Sequence, residues 1–359
     1  MNKKAVFTGG GSAGHVTVNA ALIPEFLKNQ WKVTYIGSEK GIEKTIIEKE
    51  FPDISYHSIS VGKLRRYFSI ENIKDPFRVI KGIGQAFRIL KRERPDFIFS
   101  KGGFVSVPVV LGAKLLKIPV IIHESDITPG LANKIAFPFA AKICTTFVET
   151  ASFLPMGKTI HVGAVLRDRI FKGDAVKGKR ICGFKKDKPV LLIMGGSLGA
   201  TKINEAIIEI MPQLLAAYQI IHICGKGNVF SDLIQPGYAA FEYVHEEIFD
   251  FLAAADIVIS RAGSNSIFEF LALQKPMLLI PLSAKASRGD QILNAQSFEQ
   301  AGFASILKEE ALTGTALLKE ISDLYSRRSN FSARINEFRG FKRADEMYKM
   351  LVSLVQPKK

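Results

Sequence analysis

The sequence predicts a two-domain α/β protein with parallel sheets, and three observations point there. Its 359 residues exceed the roughly 250–300 at which one core usually divides. Short apolar runs alternate with helical patterns in both halves, which is the order of βαβ units. Glycine-rich turns stand where strands should hand over to helices.

In the first half, Ala5-Val6-Phe7-Thr8 leads into glycines and then an amphipathic segment from about Val18 to Lys28. Val33-Thr34-Tyr35-Ile36, Phe97-Ile98-Phe99-Ser100 and Val120-Ile121-Ile122-His123 repeat the plan. In the second half, Val190 to Met194, Gln219 to Ile223, Ile257 to Ser260 and Met277 to Ile280 read as buried strands, too continuously apolar for a sheet with one wet face. A charged stretch from Lys158 to Arg180 separates the two patterns. The expected domains are 1–163 and 164–340, followed by a C-terminal helix over 341–359 within a helical pattern from about Ala333 to Leu354.

The net charge is +15, which admits nucleic acid, an anionic membrane surface or a phosphate-bearing ligand as partner, beside a diffuse excess of surface lysine. Cys144, Cys182 and Cys224 are too few and too scattered for a disulfide framework or a zinc site, which fits a reducing cytoplasm. The start has too short an apolar run for a signal peptide, and no stretch approaches about 18 uninterrupted apolar residues.

Two glycine turns carry the first chemical signal: Gly9-Gly10-Gly11-Ser12-Ala13-Gly14-His15 and Gly195-Gly196-Ser197-Leu198-Gly199. Each would place backbone N–H groups and a helix N-terminus beside a ligand, which suits phosphate. Either alone also fits a tight structural turn. A third, Lys101-Gly102-Gly103-Phe104, again follows a strand. No acidic residue stands at the dinucleotide position about 20 residues on, and the P-loop lysine pattern is missing.

With these turns in place, the chain resembles the MurG family, the UDP-N-acetylglucosamine:undecaprenyl-diphospho-muramoylpentapeptide N-acetylglucosaminyltransferases of peptidoglycan synthesis, in its Gram-positive, staphylococcus-like branch. The likeness runs over essentially the whole chain. Its motifs are Gly9 to His15, Lys101 to Pro108, His123-Glu124-Ser125-Asp126 with Gly130 to Lys134, Gly195 to Ala200, Ser260 to Ser264 with Glu269, and Gly289 to Ala295. The resemblance implies the GT-B architecture: two Rossmann-like domains, an interdomain cleft, and a C-terminal helix that returns to the first domain. It assigns the donor to the second domain. Ser197 would meet the diphosphate, Val244 the uracil, Ser264, Asn265, Ser266 and Ile267 the phosphates through helix N–H groups, Glu269 the ribose, Gln291 the sugar, and Arg167 the nucleotide-sugar from between the domains. The acceptor's diphosphate would lie on Gly102 and Gly103, with Ser12, Ala13, Gly14 and Asp126 in the loops shared by acceptor and donor. Asp126 stands where the family usually has an amide, so it can accept a sugar hydroxyl's proton but not donate.

The implied reaction is inverting transfer of N-acetylglucosamine from UDP to the 4-hydroxyl of the lipid-linked muramoylpentapeptide. Such a displacement needs a base for the hydroxyl proton and stabilisation of the departing diphosphate. His15 is the candidate base, since a helix N-terminus keeps an imidazole neutral; binding the acceptor's phosphate or capping the helix are its other readings. Asp126 and Glu124 are alternative bases, and His123 reads as structural. No Asp-x-Asp is placed to hold a divalent ion, so neither metal nor cofactor is expected.

Between Val61 and Lys101 lie 11 basic and four acidic residues, a net +7 interleaved with Tyr67, Phe68, Ile73, Phe77, Ile80, Ile83 and Phe87. That mixture suits anionic headgroups at the cytoplasmic face of the cell membrane. Arg65, Arg66, Tyr67 and Phe68 are the leading contacts, whereas Ile80, Ile83 and Phe87 fit an inward-packing helix face equally well. Two other functions compete: a related transferase acting on diacylglycerol, and a non-catalytic module binding nucleic acid or membrane. The second leaves the glycine turns unexplained, and no nucleic-acid motif is present.

Overall fold

The computed structural model describes residues 3–12, 14–62, 71–185, 188–195, 200–229, 235–284 and 289–355, with side chains left aside at 71–74. The chain divides into two compact units, Met1–Arg167 with Gly340–Lys359, and Asp168–Arg339.

The first unit is a seven-stranded parallel sheet ordered β3-β2-β1-β4-β5-β6-β7. Its strands are β1 (Lys4–Thr8), β2 (Lys32–Ser38), β3 (Ser55–Ile59), β4 (Phe97–Ser100), β5 (Val120–Glu124), β6 (Lys142–Thr145) and β7 (Thr159–His161). Helices α1 (Gly14–Lys28), α2 (Ile42–Glu50), α3 (Glu71–Glu93), α4 (Ser106–Leu115) and α5 (Leu131–Ala136) make the crossovers. One core gathers Phe7, Phe26, Trp31, Phe97 and Phe99, and another gathers Ile98, Ile122, Ala86, Leu90 and Val109. Both faces of β4 are therefore covered, which is why its sequence is continuously apolar.

Two short strands depart from the expected boundary. β8 (Ala164–Leu166) pairs in parallel with β15 (Phe341–Arg343), so residues 164–166 lie with the first unit rather than the second. The helical pattern from about Ala333 is likewise broken: α13 (Arg328–Asn336) ends before β15, and α14 (Ala344–Val355) starts after it. Gly163 lies against Gly340, where a Cβ would stand 2.4 Å from the carbonyl oxygen, so the strand pairing needs bare backbone there. Met347 and Leu351 of α14 enter the first core, and Tyr348 packs edge-on to Phe26 at 4.8 Å while accepting the Trp31 indole hydrogen bond.

The second unit is a six-stranded parallel sheet ordered β11-β10-β9-β12-β13-β14. Its strands are β9 (Val190–Met194), β10 (Gln219–Ile223), β11 (Tyr238–Phe241), β12 (Ile257–Ser260), β13 (Met277–Leu279) and β14 (Ala304–Ile306). They are linked by α7 (Thr201–Glu209), α8 (Met211–Ala217), α9 (Glu247–Ala254), α10 (Ser264–Ala272) and α11 (Asp290–Gln300), with α6 (Ala175–Ile181) before the sheet and α12 (Gly314–Ser326) after it.

A buried polar triad sits in this unit. His222 on β10 meets Tyr238 Oη through Nδ1 and Asn204 Oδ1 through Nε2, each at 3.0 Å. Asn204 gives its amide N–H to the Cys224 carbonyl, so its oxygen faces His222, and the imidazole carries its proton on Nε2. Burial pushes the His222 pKa down from 6.5 to about 4. The depressed value means that stability is complete above pH 6.5 and is lost as pH falls toward 4, because the unfolded chain takes up the proton first. The shift corresponds to about 3 kcal/mol. The thermal midpoint of His222→Gln should start lower at pH 7.5 and fall less steeply to pH 4.5 than the unsubstituted protein's; parallel curves would remove His222 as a source of acid lability.

Candidate functional site

In the first unit the carboxyl ends of β1, β4 and β5 bring three loops together. Chain reversal after β1 is held at successive residues: Tyr35 donates its hydroxyl to the Gly9 carbonyl at 2.7 Å, and Gly10 N–H donates to the Gly102 carbonyl at 3.3 Å. Gly103 adopts φ +80°, and a Cβ there would stand 2.0 Å from the Gly10 carbonyl oxygen and 3.0 Å from His15 Nδ1. The two glycine loops are thus in contact, and only glycine permits that approach. Ser12 Oγ lies 3.0 Å from His15 Nδ1, and the Ser12 carbonyl accepts the His15 N–H. His15 and Gly14 open α1, at the positive end of the helix. Ala13 lies outside the described residues.

The third loop follows β5 and is built around Glu124. Its Oε1 accepts from the N–H groups of Ser125 and Asp126, at 2.8 and 3.1 Å, and its Oε2 accepts from Gly130 N–H and Asn133 Nδ2, at 3.0 and 2.9 Å. Both oxygens are occupied by the loop's own donors, so Glu124 frames this loop and is withdrawn as an alternative base. Asp126 stays half-buried, its carbonyl accepting from Thr150.

Lys101, 2% exposed, directly follows β4. Burial lowers its pKa, and the charges of Glu124 and Asp126 oppose that fall. His123 is fully buried, and neither ring nitrogen has a partner among the described residues. Burial and then the Lys101 charge push its pKa well down, so it is a neutral core imidazole. His57 lies beside Arg92 and Glu93, and His161 bonds the Thr146 carbonyl, so neither joins the loops.

In the second unit the described donor residues expected from sequence follow the carboxyl ends of β11, β12 and β13. Ser264, Asn265, Ser266 and Ile267 form the first turn of α10, whose N-cap, Gly263, offers no side-chain cap. Glu269 lies one turn on and is half-buried. Val244 sits in the loop between β11 and α9, also half-buried. Gln291 stands in the first turn of α11 and accepts the Leu282 N–H on its Oε1 at 3.1 Å. Arg167 follows β8 as the last residue of the first unit's leading segment. Ser197 lies outside the described residues.

Sequence reasoning missed the buried ion pair behind this loop. Arg261 (8% exposed) bonds Glu309 (7% exposed) and also donates to the Ile280 carbonyl at 3.2 Å, while Glu309 accepts the Ser283 N–H at 3.4 Å. Burial alone would raise the Glu309 pKa, but the Arg261 hydrogen bond and charge hold it below 4.5. Arg261 lay inside a recognised motif, but nothing near it in sequence pointed to residue 309.

Two parallel α/β units, with glycine loops after β1 and β4 of the first, have the build of the GT-B fold class. Residues 5–145 match the glycosyltransferase family 28 N-terminal domain and residues 190–348 its C-terminal domain. Over 339 residues the chain is 58% identical to a Bacillus anthracis protein named UDP-N-acetylglucosamine--N-acetylmuramyl-(pentapeptide) pyrophosphoryl-undecaprenol N-acetylglucosamine transferase 2, covering 94% of this chain and 96% of that one. A Clostridium tetani protein of the same name without the numeral is 54% identical over 92% of both chains. The crystal structure of Acinetobacter baumannii MurG superposes with a TM-score of 0.76 at 22% identity, covering 98% of this chain and 100% of that one, a likeness of fold. The chain belongs to the MurG group of glycosyltransferase family 28.

Proposed function

We propose that this chain transfers N-acetylglucosamine from UDP-N-acetylglucosamine to the 4-hydroxyl of undecaprenyl-diphospho-muramoylpentapeptide, completing the lipid-linked disaccharide used in peptidoglycan synthesis. Identity of 58% across nearly the whole chain to a relative bearing that activity in its name carries the reading. The acceptor's diphosphate is read by the Gly102 and Gly103 loop and by Ser12 to Gly14. His15 takes the proton of the hydroxyl as its oxygen attacks the anomeric carbon, and the bond to UDP breaks on the opposite face. The first turn of α10, with Arg167 and Ser197, stabilises the charge gathering on the leaving diphosphate. Glu269 accepts from the ribose hydroxyls, Val244 meets the uracil, and Gln291 reads the sugar through its NH2 end.

The test is transfer of labelled N-acetylglucosamine from UDP to the muramoylpentapeptide lipid, run beside diacylglycerol. Product with the muramoyl lipid is expected. Product with diacylglycerol only would overturn the reading.

The acceptor's lipid tail requires an approach to the membrane, and α3 supplies a surface for it. Asp75, Gly82, Ala86 and Leu90 are buried along one stripe. Phe77 and Ile80 face outward, 72% and 67% exposed, beside Lys81 and Arg88, while Ile83 and Phe87 are half-buried. Ile80 therefore belongs to the outer face, and Ile83 and Phe87 to the flank. Arg65, Arg66, Tyr67 and Phe68 lie outside the described residues. Among the described residues no helix is long and apolar enough to cross a membrane. We expect Phe77→Ser with Ile80→Ser to reduce co-sedimentation with vesicles containing anionic lipid about tenfold or more, each buried side chain being worth about 1.5–3 kcal/mol. Equal binding by both proteins would place the contact elsewhere.

A further inference from the structure

Glu43 is a carboxylate with no exposed surface, in the first turn of α2, and nothing in the transfer reaction uses it directly. Its Oε1 accepts the Ser38 N–H at 3.0 Å and also bonds the Ser38 hydroxyl. Its Oε2 accepts the Gly11 N–H at 3.2 Å, 32 residues back in the chain. The carboxylate is fitted between two glycines. A Cβ on Gly10 would stand 2.4 Å from Glu43 Cδ, and one on Gly41 would stand 2.2 Å from Oε2.

The Gly11 amide is thus committed to a carboxylate of the protein rather than to an incoming anion. Tyr35 holds Gly9, Gly102 holds Gly10, and Glu43 holds Gly11, after which the chain enters Ser12 and reaches His15. Of these three ties, that of Glu43 is the last before the residues assigned to the acceptor and involves the only charged group. A bond to a charged acceptor is stronger than one between neutral groups.

We propose that Glu43 is a positioning residue: by clasping Gly11 it fixes the path of the loop that presents Ser12 and His15 to the acceptor. The role rests on the acceptor assignment proposed above. Its effect on the loop itself does not, and that separates the two in the test.

Glu43→Gln keeps the shape but offers one acceptor oxygen in place of two, so either Ser38 or Gly11 faces an NH2 group. Gly41→Ala is the second variant. Gly41 has φ −84° and ψ 158°, which alanine adopts freely, so the added methyl acts by displacing the carboxylate and the Ser38 hydroxyl bonded to it. Amide hydrogen exchange over residues 9–15 should rise about tenfold in both variants, as befits loss of a bond to a charged group. The KM for the muramoyl lipid should rise, or kcat fall, by about the same factor, with the KM for UDP-N-acetylglucosamine within about twofold. Unchanged exchange in folded protein overturns the clasp. Raised exchange with unaltered acceptor kinetics, or a parallel rise in both KM values, overturns the positioning role. If Glu43→Gln does not fold, Gly41→Ala carries the same readouts. Failure of the unsubstituted protein to use the muramoyl lipid would strike the proposed function and leave the exchange result to judge the clasp.

Discussion

Replacing His15 by alanine is expected to lower turnover by about 100- to 10,000-fold, the usual worth of a positioned general base. The affinity for UDP should stay within about twofold, because the proposed uridine and phosphate contacts, Arg167 apart, lie in the other unit. His15 has the attributes of a base on geometric grounds. It opens α1 at the positive end of the helix, and its Nδ1 is engaged by Ser12 Oγ, which orients the ring through one nitrogen. Of the alternatives, Glu124 is occupied by four donors from its own loop, and Asp126 remains. Steady-state kinetics of His15→Ala and Asp126→Asn, with UDP binding followed by calorimetry, decide between them. Turnover unchanged in His15→Ala would remove it as base; a loss confined to the acceptor KM would make it a phosphate contact instead.

The parts of the fold legible in sequence are those whose physics is local. β1, β4, β9 and β12 are short apolar runs because both faces of each are covered, and the glycine turns after β1 and β4 announce themselves by composition. β3 and β7 were not legible: Ser55–Ile59 is half-exposed and β7 closes the sheet's far edge, so neither needs an apolar run. β8 and β15 could not be read either. Their pairing joins residues 164–166 to 341–343, and three residues carry too little pattern to announce it. The site divides the same way. Gly103 and His15 were visible in their own motifs, but that they touch depends on two loops meeting across adjacent strands. Glu43 belongs to no motif in the sequence, and Lys101 stands there only as the start of a glycine turn and one of 11 basic residues. Both are buried by the loops that the fold brings against them.

Removing the charge of Glu309 should have the largest effect on stability. In Glu309→Gln, Arg261 keeps its burial and loses its counter-ion, a change that typically costs 3–5 kcal/mol, or about that order here. The pH dependence gives an independent check. The folded carboxyl titrates below its unfolded value of 4.5, so its contribution is present above pH 4.5 and fades as pH falls through the folded value. The gap between the unsubstituted protein and Glu309→Gln should therefore be full at pH 7 and should close on acidification, as followed by urea unfolding of the second unit's signal. The pair also holds backbone. Arg261 reaches the Ile280 carbonyl, Glu309 reaches Ser283 N–H, and Leu282 between them bonds Gln291. Arg261→Met with Glu309→Leu should regain much of the lost stability, because an apolar pair of similar size removes the stranded charge. It can neither donate to the Ile280 carbonyl nor accept from the Ser283 N–H, so the KM for UDP-N-acetylglucosamine, expected to rise about tenfold in Glu309→Gln, should stay high even as stability returns. Were stability and KM to recover together, the pair would matter only for folding; were Glu309→Gln to unfold within about 1 kcal/mol of the unsubstituted protein, solvent would be reaching Arg261 and the buried-pair argument would fail.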